Sequence, residues 1–182
     1  MNSKTALVLI DIQNDYFEGG KLPLEHPLAA ANNARQLLDS FRQTGQLVIH
    51  IEHDNVDESR PFLLRGTRGQ QVHESVAARS DEIVIKKQFP SAFWQTNLQD
   101  VLEEHGIQNL VIAGMMTHMC VSTTTRAAME RGYMATVITD ACATRDLEIQ
   151  GEVLPAQTVH KSALAEVQML ANLATTEQYL NA

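Results

Sequence analysis

The run Thr5-Ala-Leu-Val-Leu-Ile10 is apolar almost without interruption and then breaks abruptly into Asp11-Ile-Gln-Asn-Asp15. Such a stretch has no polar face to turn to water, so it reads as a central strand of a parallel sheet covered on both sides. Further strands are expected at Leu47 to Ile51, Ile83 to Lys87, Leu110 to Ala113 and Ala135 to Thr139. Between them lie segments with apolar residues at helical spacing. Leu28 to Thr44 carries Ala34, Leu37, Leu38 and Phe41 and stops at Gly45, and Leu98 to His105 stops at Gly106. Ser122 to Arg131 stops at Gly132, and Gln157 to Ala174 is the last amphipathic segment. Strands alternating with helices of this length imply an α/β fold, a parallel sheet with helices on both faces.

A chain of 182 residues with 44% hydrophobic content can bury one good core and is short for two. Residues 1–182 are therefore expected to form a single domain. The net charge of −8, with no basic tract, opposes binding to a nucleic acid backbone as the main activity. No apolar run approaches bilayer length and no charged-then-apolar leader precedes the first strand, so no membrane partner is expected. With only two cysteines, Cys120 and Cys142, a reducing cytoplasmic location is expected.

Open α/β sheets place their ligand crevice at the carboxyl ends of the strands. Three chemically distinct residues fall there. Asp11 ends the first strand, Lys86 and Lys87 end the third, and Cys120 follows the fourth through Gly114-Met-Met-Thr-His-Met. A thiol where a strand turns into a helix meets free backbone N–H groups and the positive end of the helix dipole, so a lowered Cys120 pKa is expected. Each residue also has a plain structural reading. Asp11 could cap a turn, Lys86 is best read as a solvated strand end, and Cys120 could be a small buried hydrophobe. Cys142, after the fifth strand, lacks the helix-start setting and is read as packing.

Taken together, base, cation and nucleophile are the set that thiol hydrolysis needs. The chain resembles the isochorismatase-like cysteine hydrolases, which include nicotinamidases and N-carbamoylsarcosine amidase. The matching stretches are Asp11-x-Gln-Asn-Asp-Tyr-Phe-x-Gly-Gly20, Lys87-x-x-x-Ser-Ala-Phe93, Gly114-x-x-Thr-x-x-Cys-Val121 and Val137-x-x-Asp-Ala141. That resemblance implies a three-layer, Rossmann-like sandwich of about six strands, with a sixth short strand near Ala174 to Thr176. It further implies a catalytic triad of Asp11, Lys87 and Cys120, a cis peptide at Met115-Met116, and an oxyanion hole made by the backbone N–H groups of Met116 and Cys120. A homo-oligomer, dimer or tetramer, is also implied. Candidate pocket walls are Tyr16, Phe93, Trp94 and Thr117, although aromatic core packing is an equal reading for the rings.

Nicotinamidases of this kind hold a divalent ion with an Asp-x-His pair and a later His. Here the second strand ends His50-Ile-Glu-His-Asp54, and that spacing is missing. Glu52, His53 and Asp54 are adjacent, and adjacent strand residues point to opposite faces and rarely converge on a metal. No metal and no cofactor are expected. The favoured activity is cleavage of a small-molecule amide or related C–N bond through a thioester. The alternatives are vinyl-ether hydrolysis with Asp11 as acid, or a non-catalytic binding role. The segment from Asn55 to Asp81, with Arg60-Pro61 and Gly66-Thr-Arg-Gly69, is expected to be an irregular loop over the crevice, either shaping access or serving structure. Its Arg65 and Arg68 could meet an anionic substrate, with solvated side chains the plainer reading.

Overall fold

The computed structural model describes residues 4–182. The first strand, β1 (Thr5–Ile10), is buried from Ala6 onward. Its alternate side chains enter two different cores. Ala6, Val8 and Ile10 join the core that also holds Ile49, Leu102, Ile112 and Leu164, while Leu7 and Leu9 join Leu37, Leu38, Phe41 and Val111. A strand with both faces in apolar cores is what an unbroken apolar run demands. Each fully buried Leu or Ile is stabilised by roughly 1.5–3 kcal/mol relative to exposure.

Helix α1 (Pro27–Thr44) covers one face, burying Ala30, Ala34, Leu37, Leu38 and Phe41, and closes on Gly45 in the left-handed conformation at φ 65°. Strands β2 (Leu47–His53) and β3 (Ile83–Lys87) follow. Helix α2 (Leu98–Glu104), β4 (Asn109–Met115), a π-helical turn (Thr117–Val121) and α3 (Ser122–Glu130) come next. Strand β5 (Met134–Ala143) runs four residues beyond the expected end at Thr139, which brings Asp140 and Cys142 into the sheet region. A small antiparallel hairpin, β6 (Leu147–Ile149) and β7 (Glu152–Leu154), precedes α4 (Ala156–Val167). The chain ends in β8 (Asn172–Ala174) and α5 (Thr176–Leu180), whose Thr175–Gln178 capping box starts it.

The main sheet has six parallel strands in the order β3-β2-β1-β4-β5-β8. Two expected elements at the end of the chain shift. The last long helix stops at Val167 instead of Ala174, and the sixth strand lies two residues earlier than expected. Neither the β6–β7 hairpin nor α5 was legible, because both are shorter than the window over which periodicity can be measured.

Register brings the carboxyl ends level. Ile10 sits beside both Ile51 and Gly114, and His53 beside Lys87. Gly114 makes the closest approach. A Cβ there would lie 2.0 Å from the Ile10 carbonyl oxygen, and its φ of 136° suits only glycine. β4 can therefore pass close against β1 just before it releases the chain toward Cys120.

The expected irregular loop lies between β2 and β3, and it is pinned. Backbone bonds run from Asn14 N to Gln71 O, from Asp15 N to Gly69 O and from His73 N to Ile12 O, at 2.8–3.0 Å. Buried Asp15 accepts from Leu63 N (2.6 Å) and Lys21 N (3.0 Å). The loop is thus tied to the residues that follow Asp11, and Arg65 is spent on Asp54 in a salt bridge.

Candidate active site

Lys87, Asp11 and Cys120 meet at the carboxyl edge of the sheet, all buried. The Lys87 ammonium donates to Asp11 Oδ2 at 2.6 Å and to Cys120 Sγ at 3.3 Å. It donates a third bond, at 3.0 Å, to His53 Nδ1. Each side chain is delivered by its element. Asp11 stands one residue past β1 in the left-handed conformation (φ 50°), which Asp tolerates better than most residues, with its N–H donating to Ile51 O. Lys87 is the last residue of β3. Cys120 lies in the π-helical turn, after a cis peptide bond between Met115 and Met116.

The electrostatics differ from the sequence expectation. Burial pushes the Cys120 thiol up and the Asp11 carboxylate adds to this, while Lys87 pulls the other way without prevailing. Burial and the facing carboxylate thus disfavour the thiolate, and attack by the sulfur calls for a base. Burial is the largest influence on Lys87 and opposes its charge, but Asp11 and Cys120 together outweigh it and hold the ammonium above the ordinary lysine range. Burial, then the Lys87 charge, lower the His53 pKa. Among the described residues, Asp11 Oδ1 is the one buried side-chain oxygen or nitrogen with no hydrogen-bond partner.

The candidate metal ligands part company. Glu52 is half-buried beside Gln70, Asp54 is bridged to Arg65, and His53 turns to Lys87. Asp11, His53 and Cys120 do place ligand atoms within 4.8 Å of one another. The Lys87 ammonium, however, is hydrogen-bonded to all three, so a cation already stands where an ion would sit.

The four pocket candidates go to different places. Tyr16 is buried close enough for Cys120 and Asp11 to act on its hydroxyl, which burial first of all pushes up. Phe93 stacks on Tyr133 with the Arg131 guanidinium over its ring, and Trp94 is exposed. Thr117 bonds His160 Nδ1 at 2.9 Å. A cavity of about 480 Å³ opens beside Cys142, between Glu25, Asp140, Asp146 and His160. None of the triad lines it, and its carboxylates are exposed, so the chemistry is better sought at Lys87, where buried charge and an unpaired oxygen coincide.

Sequence reasoning weighed His53 only as a metal ligand and passed over Gln13 and Asn55. The Gln13 amide clamps the His53 backbone, accepting from its N–H at 2.8 Å and donating to its carbonyl at 2.9 Å. Asn55 Oδ1 lies 2.9 Å from His53 Nε2. A buried amide so close after the first strand was the available signal.

Comparison with known proteins gives a consistent result. The isochorismatase domain model matches residues 5–178. YddQ of Bacillus subtilis, an uncharacterized isochorismatase family protein, is 44% identical over 97% of this chain and 98% of its own. The secreted isochorismatase effector Isc1 of Verticillium dahliae is 36% identical over 90% of this chain and 83% of its own. The crystal structure of a protein described as an isochorismatase hydrolase, from Oleispira antarctica, superposes with a TM-score of 0.94 at 44% identity, covering 98% of this chain and 96% of that one.

Proposed function

Because the chain belongs to the isochorismatase family and is a hydrolase, we propose that it cleaves a small amide or related C–N bond through a thioester on Cys120. The observation that carries this reading is a buried Asp11 carboxylate that pairs with Lys87 through Oδ2 and also acts on the buried Cys120 sulfur, with Oδ1 spent on no other group. Oδ2 is committed to Lys87, so Oδ1 is left to take the thiol proton. The thiolate attacks the substrate carbonyl carbon, and the backbone N–H groups of Met116 and Cys120 receive the oxyanion. As the C–N bond breaks, Asp11 returns the proton to the departing nitrogen. Water, giving a proton to Asp11, then attacks the thioester. The acid leaves, and the proton on Asp11 goes back to sulfur. Lys87 keeps a fixed positive charge beside sulfur and carboxylate throughout, and no protein-held metal enters the cycle.

A second reading has an observation in its favour, the name of the Verticillium relative. Vinyl-ether hydrolysis would use Asp11 as acid and leave Cys120 idle. An ammonia-release screen over primary amides, run beside an isochorismate assay, separates the two. Turnover of an amide that disappears in Cys120→Ala supports the thioester route, and turnover confined to isochorismate and kept by Cys120→Ala sinks it.

A further inference from the structure

We propose that His53, held as the neutral Nε2–H tautomer by Asn55, is the positioning residue that fixes the Lys87 ammonium against Cys120 and Asp11. The inference rests on Cys120 being the reacting thiol and adds a residue to that machinery.

The tautomer follows from donor and acceptor bookkeeping. Asn55 Nδ2 donates to the Phe62 carbonyl at 2.7 Å, which turns Asn55 Oδ1, an acceptor only, toward His53 Nε2 at 2.9 Å. Nε2 must therefore carry the hydrogen. Nδ1 is then a lone pair, and Lys87 Nζ donates to it at 3.0 Å. All three ammonium protons are thereby assigned, to Asp11 Oδ2, Cys120 Sγ and His53 Nδ1. A buried ammonium with a proton unpaired would be free to rotate toward whichever acceptor is left. The third acceptor adds no negative charge, so it holds the lysine in place without competing with Asp11.

The imidazole itself cannot drift. Gln13 grips its backbone on both sides, and β2 pairs His53 directly with Lys87. Asn55 is held by backbone bonds to Leu63 O at 3.0 Å and from Arg65 N at 2.8 Å. The charged and titratable groups that act on His53 are Lys87, Asp11 and Arg60, with Asp54 alongside. The pinned loop between β2 and β3 thus sets the position of an ammonium at the end of β3.

The full-length chain tests this without a substrate. In wild type, 15N NMR of the His53 ring is expected to show the Nε2–H tautomer, and an Nδ1–H tautomer overturns the proposal. His53→Leu, first shown to be folded by circular dichroism, should alkylate Cys120 with iodoacetamide about tenfold more slowly, with the pH midpoint of the reaction moved upward. His53→Asn puts an amide oxygen where Nδ1 stood and should stay within about threefold of wild type. Asn55→Leu, which leaves the ring but frees its tautomer, should shift the profile in the same direction as His53→Leu. A His53→Asn protein as slow as His53→Leu would mean that ring packing alone matters, and wild-type profiles in His53→Leu and Asn55→Leu would remove the relay altogether. Because alkylation reads the sulfur directly, failure to find an amide substrate would count against the proposed function and leave this result standing.

Discussion

Strand β3 carries an ionic cluster at each end, half-buried at the first and fully buried at the last, and the two are built to opposite rules. Just before its first residue, Glu82 accepts from Arg42 Nε (2.6 Å) and Nη2 (2.8 Å) and from Arg79 N (2.8 Å), with His50 Nε2 at 2.9 Å. Both carboxylate oxygens are used. At its last residue, Lys87 faces Asp11, whose Oδ1 meets no N–H or hydroxyl donor and is left to the Cys120 thiol. A carboxylate paired at every lone pair has its charge stabilised and is poor at taking a proton. One left half bare beside a thiol keeps that capacity, and the protein tolerates the cost of the unpaired oxygen. On the proposed chemistry, what fits the second pair for proton transfer is its deeper burial together with the oxygen that no other donor holds.

The largest test of that contrast is catalytic. Once a substrate is found, Cys120→Ala and Asp11→Asn should each lower kcat/KM by about 10³-fold or more, because base and nucleophile act as a unit. Glu82→Gln should leave it within about twofold, since nothing it touches reaches the sulfur. Should Asp11→Asn alone be severe, the bare oxygen serves as an acid and the ether reading gains.

Stability tests the cluster at the other end of the strand. Glu82→Gln is expected to cost about 2 kcal/mol in urea unfolding, because the buried Arg42 guanidinium loses its charged partner. Arg42 holds Glu82 well below its ordinary 4.5, at about 2. A carboxylate depressed in the folded state stabilises above its unfolded pKa and loses that contribution as pH falls through the folded one. Wild-type stability should thus decline between pH 4.5 and about 2, and the decline should be shallower in Glu82→Gln. Parallel curves for the two proteins would mean that Glu82 is not the group that titrates.

A smaller effect separates the two cysteines. Burial pushes both thiols up, Cys142 to about 12 and Cys120 further still, since Asp11 adds to burial there and Lys87 only partly offsets it. What sets Cys120 apart is the carboxylate beside it that can take its proton. Iodoacetamide should label Cys120 about tenfold faster because Asp11 can take its proton, and Asp11→Asn should close most of that gap. Equal labelling in wild type would show that access, with Cys142 on the wall of the 480 Å³ cavity, outweighs the base beside Cys120. The smallest effect is a null one: exhaustive chelation should leave activity unchanged, because Lys87 stands among the only three donors that converge among the described residues.

The unbroken run before Asp11, and the repeated strand–helix spacing behind it, were enough to give the parallel sheet and to put Asp11, Lys87 and the Cys120 turn at one edge. Period and apolarity are local properties, so a linear reading finds them. The role of His53 was hidden for the opposite reason. Alternation along β2 correctly argued that Glu52, His53 and Asp54 would not converge, yet it could not say that β3 would pair Lys87 beside His53 and supply the partner. The protonation of Cys120 was likewise decided by tertiary structure. Its helix start and neighbouring lysine were legible and argue for thiolate, but the desolvation that overrides them comes from the packing of distant segments around the sulfur. The chain alone determines which groups arrive at the edge. Their charge state, and which lone pair is left bare, depend on how deeply the rest of the chain closes over them.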